Sequence, residues 1–596
     1  MPIVRIHHNG IVPRGVWPPR CTQDFTRVRS PWRWHGQYAD FSLNAPRSPR
    51  FELQSSAIRI DIGRQLFVDD FLIARASNCQ RRWHAATLAS RLDTLDGYRL
   101  FSDGIVWDPV DQTYRAWASD PQEPHATKKN DTLFFSRVRT ELSGTTALVS
   151  KDGLKWTRLG ALTLRSDGLL PRRNTGSVWL DRDDVACPYK FAFYKGRFIL
   201  QLFCSKTPIG PLDEVGSIYP AGDRSTFAFN AFTRKWVFML TGVQVNGMRH
   251  VSYFERASFE GNHSETACKG RERPCCRLKS RVWFSLCDSD AALETAKRFG
   301  CWSWNHRSLQ KGQHFVNWLS SDTHDGLTPY QGRPTDVYAA DYASYESITL
   351  IGMGIYRAGH EVDKDISLSL GFSRDGFHYV RPQPRFDFAM PQPRERQYYP
   401  SFAGGLLCVH KDHLDFYISS LLLRSNSTRT AWVLAHELLK KTRGNRNWGE
   451  QHWAKENEKI VRSLHDDLDP VVSLFRLRRD GFASISPIVS SKAPAILETH
   501  LLRFNGTRLF INAKVPAYPE SSLQVRLLSA ENAELARSYE LAAFDSTAKP
   551  VAWRKGGLSE SEAVHRARLK FIIRGEAQVF AFWFASDDRG GSAGKL

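Results

Sequence analysis

Two segments of this chain, beginning at residues 150 and 373, carry one local design. Ser150-Lys151-Asp152-Gly153-Leu154-Lys155-Trp156 and Ser373-Arg374-Asp375-Gly376-Phe377-His378-Tyr379 both read serine, basic, aspartate, glycine, apolar, basic, aromatic. An Asp-Gly pair suits a tight turn because glycine accepts a positive φ and the aspartate side chain can bond nearby backbone N–H groups. Around them lie short apolar-aromatic runs separated by Asp, Gly and Asn, such as Gly104-Ile105-Val106-Trp107-Asp108, Phe198-Ile199-Leu200-Gln201-Leu202-Phe203 and Ser347-Ile348-Thr349-Leu350-Ile351-Gly352-Met353. Runs of that length and composition are strands. Repeated turns of one design between short strands restrict the chain to an all-β body of repeated antiparallel sheets.

The run Leu66-Phe67-Val68-Asp69-Asp70-Phe71-Leu72-Ile73, followed by Arg81-Arg82-Trp83-His84, has apolar residues on both sides of paired aspartates and reads as strand, turn and strand. At 596 residues the chain is too long for one ordinary core. Its 42% hydrophobic and 24% charged residues are ordinary globular values, which argues against wholesale disorder. The 82 Lys+Arg against 62 Asp+Glu give a formal charge of +20, suited to a nucleic acid, an anionic polysaccharide or an acidic membrane surface. That excess is dispersed, with no zinc-finger spacing and no RNA-recognition signature, so a nucleic-acid partner is not expected. No apolar run reaches the roughly 20 residues of a transmembrane helix, and no membrane partner is expected. There is no Gly-x-Ser-x-Gly elbow and no phosphate loop.

The ordered set Leu-Phe-Val-Asp-Asp-x-Leu-Ile, the two Ser-x-Asp-Gly turns, Gly222-Asp223-Arg224-Ser225-Thr226, Asp336-Val337-Tyr338 and Leu477-Arg478-Arg479-Asp480-Gly481-Phe482-Ala483-Ser484 resembles glycoside hydrolase-like proteins. These are built on a five-bladed β-propeller with a C-terminal β-sandwich, an architecture shared with invertases, levansucrases and arabinanases. The resemblance covers about residues 58 to 590, interrupted at about 256 to 315. It implies an all-β fold in which an irregular extension (1–57) precedes a propeller (58–470, with a cysteine-rich insertion at about 256–315) and a sandwich (471–590). It also implies an oligosaccharide or polysaccharide substrate and no redox cofactor. Some arabinanase-like propellers hold a channel calcium, but no loop here requires one, and no metal ligands are assigned. Many related proteins are exported, although Met1 to Cys21 has no continuous apolar core of the signal-peptide kind. The Gly590–Gly594 tail reads as disordered.

Glycosidic hydrolysis needs one carboxyl to protonate the leaving oxygen and another to act as base or nucleophile. In five-bladed glycosidases these acids project into the central funnel from different blades. By that resemblance the candidates are Asp70 and Asp103 in the first blade, Asp223, Asp336 and Glu346. Asp223 with Arg224 looks like a stand-in for the mid-chain Arg-Asp-Pro aspartate of invertases. Relatives commonly carry a glutamate just before the first-blade strand, and Thr94-Leu95-Asp96-Gly97-Tyr98 lacks it. Glu395 sits between Arg394 and Arg396, which suits a salt bridge better than a general acid. Arg224, Tyr338, His84 and Trp107 are candidates for binding sugar, with His250, His378, Trp117 and Trp236 behind them. A propeller tryptophan is more often packed between blades, and the Asp152 and Asp375 turns read as structural staples. Ten cysteines are too few for a disulfide scaffold, but Cys268, Cys275, Cys276, Cys287 and Cys301 gather in the insertion. Their spacing fits no standard zinc site and leaves disulfides and free thiols as alternatives. A catalytically silent carbohydrate-binding protein on the same scaffold, or a basic protein holding anionic glycans by charge, is the rival to the enzyme. Sugar, linkage, stereochemical outcome and oligomeric state are not legible in the residues.

Overall fold

A computed structural model describes residues 9, 11, 57–108, 110–119, 144–165, 168–169, 176–196, 199–219, 221–241, 244–245, 248–249, 251–264, 316–319, 321, 323–326, 335–356, 366–390, 397–423, 468–488, 493–558 and 565–595. The cysteine cluster of the insertion, His250 and Glu395 lie outside these residues. Among the described residues the only helical elements are two 3-10 turns, Asp93–Leu95 and Thr323–Asp325. The rest of the regular structure is strand, as the apolar-aromatic runs require.

Five sheets follow one another along the chain, each an antiparallel meander. Sheet one joins Arg99–Asp108, Thr113–Ser119, Thr145–Ser150 and Thr157–Ala161. Sheet two joins Gly176–Leu180, Tyr189–Gly196, Ile199–Ser205 and Asp213–Tyr219, with Gly261–Ser264 added parallel at its edge. Sheet three joins Thr226–Asn230, Lys235–Leu240, Val251–Arg256 and Val316–Leu319. Sheet four is Asp336–Tyr345, Ile348–Tyr356 and Ile366–Ser373. Sheet five is Gln397–Val409, His413–Leu423 and Leu468–Arg478, and the early strand Thr87–Arg91 closes it from the other end of the chain. The first strand of each sheet lies against the first strand of the next, and the fifth returns to the first. Closed contact of this kind buries the inner strands, as in Asp336–Tyr345 and Ile348–Tyr356, and leaves outer strands such as Thr87–Arg91 and Thr157–Ala161 largely exposed.

Aromatic residues fill the spaces between sheets. Trp117 is fully buried, edge-on to Phe191 of sheet two, and its indole N–H donates to the Pro208 carbonyl at 2.8 Å. Trp236 packs against Trp179 and Phe259. Both tryptophans therefore belong to packing, and neither presents a face to a sugar. In sheet two a disulfide joins Cys187 to Cys204.

The two repeated turns are built alike. One oxygen of Asp152 meets the Ser150 hydroxyl at 3.0 Å and accepts from the N–H groups of Leu154 and Lys155 at 2.8 Å. Asp375 does the same with Ser373, Phe377 and His378. Gly153 and Gly376 take φ of +71° and +84°, so the glycine is required by the backbone.

Two larger sheets form a separate core. An eight-stranded one contains Ser522–Leu528 and His565–Arg574, and a six-stranded one contains Arg508–Val515 and Gln578–Ala585. Phe67, Leu497, Leu509, Ile511, Val525, Leu569, Phe571 and Phe582 are among the side chains buried together. Strand pairing divides the chain elsewhere than at residues 58 and 470. Ile58–Arg59, Gln65–Leu66, Ile73–Ser77 and Cys79–Trp83 all pair with strands beyond Ala483, whereas Leu468–Arg478 belongs to sheet five. Apolar alternation marks a strand without naming its partner, so the sequence could not show that the ends of the chain interleave.

The Leu66–Ile73 run occupies the seam between the two units. Phe67 enters the core of the large sheets, while Leu66 and Val68 enter a core shared with sheets four and five. Asp69 is buried and accepts from Arg374 through both oxygens, Nε to Oδ2 at 3.0 Å and Nη2 to Oδ1 at 2.9 Å. Arg374 is the basic residue of the second repeated turn, so the two sequence motifs meet. The glycine-rich tail is ordered against the same seam, contrary to the expectation of disorder. Gly63 N donates to the Ser592 carbonyl at 2.8 Å, and the Trp583 indole N–H donates to that of Gly590 at 2.9 Å. Glycine permits this close approach, since a Cβ on Gly594 would collide with the Glu346 carboxylate.

Candidate functional site

The first strands of sheets three and four run in the same direction, because their partners advance together. The Thr226 hydroxyl donates to the Ala340 carbonyl at 2.5 Å, Asn230 Nδ2 to the Tyr342 hydroxyl at 2.7 Å, and Ala231 N to the Ser344 hydroxyl at 3.2 Å. Three residues before Thr226, Asp223 is therefore level with the start of the neighbouring strand, where Asp336 and Tyr338 lie. Two acids distant in sequence thus stand at one mouth of the ring.

The Gly222–Ser225 turn that carries Asp223 is fixed from below. Arg224 N donates to the Thr241 hydroxyl at 3.2 Å and Thr241 N donates to that of Ser225 at 3.0 Å. Asp223 is exposed and Asp336 half-buried, the latter paired across the sheet with Tyr356. The Arg224 guanidinium lies 5.5 Å over the Tyr338 ring. Burial disfavours its charge, but the Tyr338 phenol and the Asp223 carboxylate outweigh that and raise its pKa above the ordinary arginine value. The arginine is a permanent cation at the mouth.

Bulges occur in three of the first strands near this end. Register shifts lie between Leu100 and Ile105 in sheet one, between Val337 and Ala339 in sheet four, and between Tyr398 and Ser401 in sheet five. A bulge re-aims the side chains beside it and is common near active sites. Asp103 falls within the first of these, Tyr338 within the second, and Tyr399 within the third with φ +53°. Tyr399 and Tyr356 pack with Tyr338. Neither was singled out in the sequence, although Tyr398-Tyr399-Pro400 opening a strand-like run was a visible signal.

The remaining candidates lie elsewhere. Asp70 is a solvent-exposed residue of the seam, paired with Arg81 at 2.5 Å. Glu346 is completely buried there: Oε1 accepts from Arg479 Nη2 at 2.8 Å, and Oε2 from the Arg64 backbone N–H at 3.1 Å and the Ser592 hydroxyl at 2.7 Å. Beside it Asp480 accepts from Arg64 Nη1 at 2.9 Å and from the Tyr345 hydroxyl at 2.6 Å. His84 bonds Ser484 at 2.9 Å in the six-stranded sheet, where burial first and then the Arg82 charge lower its pKa. Trp107 lies at the opposite end of its strand from the mouth, against Tyr114 at 4.7 Å. His378 bonds the second Asp375 oxygen at 2.7 Å and is part of its turn.

No protein-family model matches the chain, and no curated protein does. Similar solved structures include an exo-β-1,3-galactanase from Phanerochaete chrysosporium with galactose (8% identity, 81% of this chain and 96% of that one, TM-score 0.31). An endo-arabinase from Bacteroides thetaiotaomicron is similar at 10% identity over 57% of this chain and 92% of that one, TM-score 0.30. A fructofuranosidase from Schwanniomyces occidentalis with fructosylnystose is similar at 7% identity over 87% and 98%, TM-score 0.31.

Proposed function

We propose that the five sheets are the blades of a five-bladed β-propeller, that the two large sheets are a β-sandwich, and that the chain is a glycoside hydrolase-like protein. Its substrate is an oligosaccharide or polysaccharide held at the mouth of the ring. The observation that carries this reading is the alignment of Asp223 and Asp336 on adjacent first strands beside Arg224 and Tyr338. Two carboxyls on neighbouring strands can flank one glycosidic bond, one protonating the leaving oxygen and the other serving as base or nucleophile. Asp103, at the register shift in the first strand of sheet one, is a third candidate acid. Arg224 supplies fixed donors for sugar hydroxyls, while the Tyr338 phenol is a donor and acceptor set by packing against Tyr356. Glu346 and Asp70 take no part in the chemistry, since one is consumed by ion pairs and the other faces solvent away from the ring.

The test is hydrolysis of a panel of glycans and aryl glycosides by wild type, Asp223→Asn, Asp336→Asn and Asp103→Asn. Loss of at least about a hundredfold in rate in Asp223→Asn or Asp336→Asn, with unfolding midpoints unchanged, supports the reading. Undiminished cleavage in both variants refutes it, and glycan binding without cleavage by wild type favours the silent carbohydrate-binding alternative.

A further inference from the structure

At the far end of the first strand of sheet five, away from the mouth, the chain reverses through His410-Lys411-Asp412-His413. His410 N donates to the His413 carbonyl at 2.9 Å, and the tight turn stacks the two imidazoles 4.4 Å apart and 16° from parallel. Two residues after His413 on the same strand, and so on the same face, stands Asp415. Its carboxylate oxygens lie 3.2 Å from His410 Nε2 and 3.6 Å from His413 Nε2. All three ligand atoms lie within 4.8 Å of one another.

A tetrahedral ion with nitrogen and oxygen ligands at about 2.0–2.1 Å has ligand-to-ligand edges of about 3.3 Å. Both measured separations, one to each Asp415 oxygen, are close to that edge, and the remaining separation is at most 4.8 Å. We propose that His410, His413 and Asp415 form a binding site for one zinc- or nickel-class divalent cation, with a fourth position left to water. Imidazole nitrogen selects this class over calcium, which takes oxygen ligands.

Arg476 grips the Asp415 carboxylate with Nε to Oδ1 at 2.8 Å and Nη2 to Oδ2 at 3.1 Å. Each oxygen has a second lone pair, so Arg476 can remain and orient the carboxylate from behind. Its positive charge weakens the site relative to one without an adjacent cation.

The experiment is calorimetric titration of the full chain with Zn²⁺ and Ni²⁺, comparing wild type with His410→Ala, His413→Ala and, as a control, His84→Ala. We expect one equivalent bound by wild type and the control, weakened at least tenfold in the two site variants. Identical isotherms in all four proteins overturn the proposal. Both site variants leave the Asp415–Arg476 pair intact, so folding should survive. A second readout on wild type alone is the Co²⁺ absorption spectrum. A tetrahedral band without thiolate charge transfer supports the site, and a thiolate band, or no band, overturns it by showing the metal on cysteine or absent.

Discussion

Replacing Glu346 by glutamine separates a structural acid from a catalytic one. The change keeps the shape and removes one charge from a fully buried carboxylate that accepts from Arg479, the Arg64 backbone and Ser592, with Arg64 Nε a further 3.6 Å away. Whichever way the amide is placed, its NH₂ faces donors, either two guanidiniums or the Arg64 N–H and the Ser592 hydroxyl. Breaking a buried ion pair by neutralising one partner costs about 3–5 kcal/mol. With an m-value of about 3 kcal/mol per molar, suited to a large unit, the urea midpoint should fall by about 1–1.7 M. Tryptophan fluorescence during urea unfolding reads the shift, with Asp70→Asn as the surface control expected to change stability by no more than about 1 kcal/mol. An unchanged midpoint combined with lost hydrolysis would refute the argument and return Glu346 to the chemistry.

The repeated turns offer a coupling experiment. A Cβ on Gly153 would lie 2.5 Å from the Tyr417 hydroxyl and would have to adopt φ +71°. Gly153→Ala should therefore cost roughly 2–4 kcal/mol from left-handed backbone and overpacking together. Adding Tyr417→Phe removes the clashing oxygen, so the double variant should be more stable than the sum of the singles predicts; strict additivity in denaturation would show that the contact is not the cause. Acid sensitivity should also appear near the ordinary histidine pKa. Burial lowers the pKa of His84 and of His500 below 6.5, so the unfolded chain binds more protons than the folded one as the pH drops through that value. Stability is fully present above about pH 6.5 and declines as the pH falls toward the folded-state values. His84→Gln and His500→Gln should flatten that decline, and a midpoint that rises on acidification would contradict the sign.

The Ser-x-Asp-Gly turns show how far local chemistry reaches. Serine, aspartate and glycine satisfy one another within seven residues, so the staple was legible without any partner, as was the all-β body from its period-two runs. Asp69 and Glu346 show where that legibility stops. Nothing near Asp69 indicates that its counter-ion is Arg374, 305 residues away, and nothing near Glu346 indicates Arg64, Arg479 and the tail serine. A carboxylate beside an aromatic strand looks the same in sequence whether it faces a channel or a seam.

The sequence by itself determined which segments are strands, where they turn and which residues can stand in left-handed turns, because those preferences act over a few bonds. Only the tertiary structure decided that the first strands form a closed ring, that the chain ends interleave in the large sheets, and that Asp223 and Asp336 share a mouth while Asp70 and Glu346 do not. Those outcomes depend on which strand edges meet and in what register. Backbone edges are chemically alike along every strand, so that choice is made by the packing of whole sheets.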